Sequence, residues 1–163
     1  MKRLIFSLII AVLAVTTVVA APSKQHKKIV KKEVAKIKAE KWQPTSGAPT
    51  IEEQVATYVE HQMMTDEEGT PIYIYIMTTH SAASMSPRMA ETTAQQGCKT
   101  DAADRILTEL GIFKKEKNLN LGRAKRIIAL QRKGKNGNTE VLISLAFNRA
   151  EVLKANKHLV EKN

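Results

Sequence analysis

Residues 86–111 read SPRMAETTAQQGCKTDAADRILTELG, and the rest of the chain is arranged around them. Ser86-Pro87 is a hydroxyl N-cap followed by proline at the first helical position, where the missing N–H costs nothing. Gly111 closes the stretch with a residue free to go left-handed, and Leu107 is placed to touch Ile112 across a Schellman turn. Between these ends Ala90, Ala94, Cys98, Ala102, Ile106 and Leu110 recur every four residues. Such a ladder predicts one long helix over 87–110. Its small residues let it lie close on a sheet, and its large ones fill space at the far end.

Working outward, the elements on either side must supply that sheet. Ile72 to Met77 alternates isoleucine with tyrosine or methionine, which predicts a strand. Ile72, Ile74 and Ile76 would face the central helix, and Tyr73, Tyr75 and Met77 the other side. Upstream, Thr50-x-x-Glu53 is a capping box opening a helix to about Met64, with Ile51, Val55, Tyr58 and Val59 on its apolar face. Asp66 to Pro71 is an acidic turn. Downstream, a polar loop over 114–120 precedes a strand over 122–132 containing Ile127, Ile128 and Leu130. Asn136-Gly137 marks a hairpin, and Thr139 to Phe147 returns with Val141, Ile143, Leu145 and Phe147 on one face. Asn148-x-x-Glu151 starts a final helix to about Val160. The expected fold is α+β: a three-stranded, mostly antiparallel sheet packed by the long central helix, with two N-terminal helices and a C-terminal helix.

The 163 residues suffice for one domain, and with aromatics at 4% its core must be small and aliphatic. The expected organisation is a signal peptide over 1–20, a lysine-rich amphipathic helix over 21–43, a linker over 44–49 and a single α+β domain over 50–163. Lys2 and Arg3 precede an apolar run from Leu4 to Val19, and Val18-Val19-Ala20 is a small-residue cleavage pattern. That predicts export to the periplasm or beyond, with cleavage near Ala20. The alternative is an uncleaved inner-membrane anchor over 4–20, because Lys24, Lys27 and Lys28 follow closely and resist export.

The net charge is +10, and it is concentrated. Lys24, Lys27, Lys28, Lys31, Lys32, Lys36, Lys38 and Lys41 stand against only Glu33 and Glu40. Val30, Val34 and Ile37 form a narrow apolar stripe, and Trp42 ends the helix ahead of Pro44. Three readings apply. The segment is a solvated helix docked through its stripe and Trp42. Or Lys27, Lys28, Lys31, Lys32, Lys36, Lys38 and Trp42 contact an anionic membrane surface or an envelope partner. Or the lysines neutralise phosphates of nucleic acid. The last ranks lowest, since the segment has no arginine and no aromatic ladder for stacking bases.

Catalytic spacing is absent from the sequence. Cys98 is the single thiol, and it sits on the packed ladder, where cysteine behaves as a small hydrophobe. Gly134 and Gly137 belong to a hairpin rather than a phosphate loop. No cofactor and no enzymatic activity are expected. One cluster suits soft-metal chemistry such as Cu(I): His61, Met63, Met77, His80, Met85 and Met89. Its rival is ordinary core packing by methionine.

The runs Glu40 to Pro44, Ile51 to Gln54 and Asp66 to Ile74 resemble uncharacterised secreted proteins of Bacteroidales bacteria. Leu121-Gly122-Arg123 and Asn136 to Val141 are similar to the closing hairpin of those proteins. Their core resembles the twenty-kilodalton bacterial lipoprotein family, a strand–helix–hairpin domain of the cell envelope, although this chain has no lipidation cysteine. The resemblance covers roughly residues 40–155 on element order. It implies an envelope protein and brings no catalytic residues. The functional expectation is an exported, non-enzymatic binding or docking module, with self-association through a sheet edge as a further expectation. Soft-metal binding is the alternative.

Overall fold

The computed structural model describes residues 24–73, 78–111, 119–134 and 137–160. The elements are α1 (Lys24–Ala39), β1 (Gln43–Pro44), α2 (Ile51–Met63), β2 (Thr78–Ser84), α3 (Pro87–Glu109), β3 (Ala124–Lys133), β4 (Thr139–Phe147), α4 (Arg149–Ala155) and α5 (Lys157–Val160). The fold is α+β. Its sheet has four strands in the order β1-β3-β4-β2, and every pairing is antiparallel. No helix among the described residues is long and apolar enough to cross a membrane. The apolar run over 4–20, with both readings of it, lies outside the described residues.

The long helix is capped as its sequence dictates. The Ser86 side chain accepts from the Met89 N–H, and Pro87 opens the first turn. Gly111 takes φ +69 just past the end. Ile112, expected to meet Leu107 there, lies outside the described residues. Ala90, Ala94, Cys98, Ala102 and Ile106 are buried in one cluster with Ala129, Val141, Ile143, Leu145 and Phe147 of the sheet. The small ladder lets α3 lie close enough that the Cys98 Sγ–H donates to the Ile143 carbonyl at 3.3 Å.

The opposite face of the sheet carries α1 and α2. Ile37, Trp42, Ile51, Val55 and Val59 pack there on Ile127, Ile128, Leu130, Leu142 and Ala146. A register shift between Arg126 and Ile128 lets Ile127 and Ile128, adjacent in sequence, both enter this cluster. Hence β4 is buried on both faces from Val141 to Phe147.

Three expectations about the fold are corrected. The sheet has four strands rather than three, because Gln43 and Pro44, expected at the junction of the lysine-rich helix and the linker, pair with Gln131 and Leu130. Two residues cannot display a β period, and proline is tolerated at an edge because it needs no ladder donor there. β2 is described at Thr78–Ser84, past the end of the strand expected over Ile72–Met77. Ile72 and Tyr73 are not in a strand, and the Ile72 carbonyl instead accepts from the Arg149 N–H at 3.0 Å. Residues 74–77 lie outside the described residues. The C-terminal helix is two helices, broken at Asn156. Asn156 is fully buried, and its amide holds both backbone groups of Asn120, donating at 2.6 Å and accepting at 2.9 Å.

The stretch read as helix plus linker shares the core of the domain. Ile37 and Trp42 are buried with α2 and β3. The edge of β3 beyond β1 is closed by Gln54, which is buried at 2% exposure. Its Oε1 accepts from the Ala129 N–H at 2.7 Å, and its Nε2 donates to the Pro49 carbonyl at 2.7 Å. A side-chain amide thus substitutes for the next strand.

Candidate docking surface

The lysine-rich helix is held by its end as well as by its stripe. The Trp42 N–H donates to the Ile37 carbonyl and the Lys41 N–H to the Lys38 carbonyl. Lys41 sits between at φ 60. This is a Schellman closure with lysine at the left-handed position that glycine usually takes, and Trp42 against Ile37 is its apolar contact. Ile29, Val30 and Val34 add partly buried contacts to the same cluster.

Trp42 is therefore a core residue, 5% exposed, as in the docked-helix reading, and is not part of the outward contact surface that the second reading gave it. The Arg132 guanidinium lies 4.3 Å over its ring. Its Nε1–H donates to Glu40 at 3.2 Å, and Arg132 in turn pairs with Glu140 at 2.6 Å and Glu40 at 3.4 Å. The lysines behave differently. Lys27, Lys28, Lys31, Lys32, Lys36 and Lys38 are all exposed. Lys38 pairs with Glu52 of α2, and that hydrogen bond holds the Glu52 carboxyl below the ordinary carboxylate range. Because the apolar side of α1 is used internally, the helix presents a row of ammonium groups on a fixed backbone. Such a surface attracts anions without inserting into anything.

The soft-metal set is not brought together as a unit. His61 is buried between α2 and the sheet, 4.7 Å from the Tyr73 ring. His80 is on the α3 face, where a Cβ on Gly97 would meet its ring at 2.5 Å. The two imidazoles are on opposite faces of the sheet. Met63, Met85 and Met89 are exposed, and Met77 lies outside the described residues. No group of three or more His, Cys, Asp or Glu that could hold a metal ion occurs among the described residues.

His61 has a role the sequence did not disclose. Its Nδ1 is 2.8 Å from the Thr57 carbonyl and its Nε2 is 3.2 Å from the Lys125 Nζ. A carbonyl only accepts and an ammonium only donates, so the ring is neutral with its proton on Nδ1. Burial pushes its pKa below the ordinary 6.5, and the Lys125 charge pushes the same way. An open recess of about 460 Å³ lies beside it, lined by Tyr73, Arg123, Lys125, Arg126, Asn148 and Glu151. Its cations are partly engaged, Lys125 with His61 and Arg126 with Glu91.

Comparison with protein-family models, with curated proteins and with solved structures returns no match.

Proposed function

We propose that this protein is an exported, non-enzymatic module of the cell envelope that docks on an anionic surface through the lysine face of α1. The observation that carries the reading is the division of labour on that helix. Its stripe and Trp42 are committed to the core, and its lysines are exposed. The export half rests on the leader pattern of residues 1–20. The strand–helix–hairpin order, which resembles that of the twenty-kilodalton lipoproteins, supports an envelope setting. Among the described residues the one thiol is buried, which fits a binding role better than nucleophilic chemistry.

The test is electrostatic. Deleting residues 24–41 would remove Ile37 from the core, so the useful variant is the quadruple change Lys27→Gln, Lys28→Gln, Lys31→Gln and Lys32→Gln. Each lysine near an anionic lipid surface contributes about 1 kcal/mol, so the variant should bind phosphatidylglycerol vesicles roughly a thousandfold more weakly at low salt. Its folding should be unaltered. Equal binding by variant and wild type, or no binding by either, overturns the reading.

A further inference from the structure

The two edges of the sheet are treated differently. The β3 edge is closed by the two-residue β1, by Pro44 and by the Gln54 amide. Its strand also carries Lys125, Arg126, Arg132 and Lys133. The other edge is β2, seven residues reading TTHSAAS, with no lysine, arginine, acid or proline and no register shift against β4. In a chain of net charge +10 this is an uncharged edge without the charges, proline or bulge that discourage pairing.

We infer that β2 pairs antiparallel with β2 of a second copy of this chain, about a twofold axis at Ser81, joining two four-stranded sheets into one. Ser81 is the middle residue of the strand, so antiparallel self-pairing centred there sets it opposite itself.

The position of α3 makes a second copy the fitting occupant. α3 lies over the β2–β4 pair, with Gly97 against His80 of β2 and Cys98 against Ile143 of β4. Strands are spaced about 4.8 Å, so a twofold beside β2 would place the two α3 axes about 10 Å apart. That is the distance at which helices pack. The flank of α3 above β2 carries Thr93, Gly97 and Thr100, short enough for such an approach. A lone peptide strand would extend the sheet and leave this flank uncovered; a second copy covers both.

Charge follows the same axis. His80 is level with Gly97, and a strand residue rises about as far as two helical residues, so the axis crosses α3 near Gln95. Asp101 of one copy then comes level with the first turn of the other copy's α3, where the helix dipole favours an anion.

Two variants of the full chain test this. Ser81 is exposed, so its replacement leaves the core intact. Sedimentation velocity over a concentration series should show a monomer–dimer equilibrium. Ser81→Lys should weaken that dimer about fivefold, since it sets like charges opposite each other across the pair. A short thiol–thiol cross-linker should join two copies of Ser81→Cys and not two copies of the wild type, whose Cys98 is buried. The proposal stands only if both results are obtained. A monomer at every concentration, a dimer unaffected by Ser81→Lys, or a Ser81→Cys chain that does not cross-link overturns it.

Discussion

On one face of the sheet the helix contributes small residues and the strands large ones: Ala90, Ala94, Cys98 and Ala102 rest on Val141, Ile143, Leu145 and Phe147. On the other face both sides are large, with Ile37, Trp42, Val55 and Val59 against Ile127, Ile128, Leu130 and Leu142. The first arrangement gives one close-lying helix whose Cys98 thiol reaches a carbonyl of the sheet. The second gives two helices that share a face and are held by side-chain volume, with a tryptophan at the rim. The difference leaves the two faces with different outward surfaces. The outward side of α3 is mixed in charge, with Arg88, Lys99, Asp101 and Asp104 exposed, whereas α1 is attached by a stripe and keeps its lysines outward.

The contrast can be broken most severely at the rim. Trp42→Ala should cost about 3–5 kcal/mol in urea unfolding, because it empties a well-packed site and removes the contact that ends α1. The same change should raise hydrogen exchange in α1 and leave α3 protected. Equal loosening of both would mean that the two faces do not act separately. On the close face the sensitive direction is reversed, and enlarging a ladder residue is the damaging change. Ala94→Leu should cost about 1–3 kcal/mol by forcing α3 off the sheet. A neutral result would show that α3 has slack.

A smaller effect sharpens the picture of how α1 ends. Lys41 holds a left-handed conformation at φ 60, which strains any residue with a Cβ. Lys41→Gly should stabilise the fold by about 0.5–1 kcal/mol, read as a shift in the denaturation midpoint at constant slope. The subtlest effect is in pH. The folded protein holds His61 neutral with a pKa below 6.5, so the unfolded chain takes up that proton first. The contribution of His61 is fully present above 6.5 and is lost as the pH falls from there through the folded value. His61→Phe keeps the contact with Tyr73 and should flatten that part of the stability–pH curve; an unchanged slope would show that His61 is not its source.

The sequence was most legible where the signal was local and repeated. The four-residue ladder from Ala90 to Ile106, the Ser86-Pro87 start, the Thr50–Glu53 capping box and the β4 alternation are each written within one element, and each is seen in the structure. Of the candidate surface, the exposed lysines of α1 could be read from the same helical period. For Trp42 the sequence left two readings, inward docking and outward contact, because whether a residue at a helix end turns inward depends on what lies across from it. Arg132, ninety positions away, supplies that answer.

By itself, then, the sequence determined the helices, their caps, their apolar faces and the segregation of positive charge, since these depend on neighbours three or four residues apart. The tertiary structure decided the rest. It made Gln43-Pro44 a strand, set β2 at Thr78–Ser84, let Gln54 close one edge, put His61 and His80 on opposite faces and broke the last helix at Asn156. Each of these outcomes turns on a hydrogen bond or contact between residues far apart in the chain. Strand pairing and burial are settled by the partner an element meets, and that partner is not written in the element's own residues.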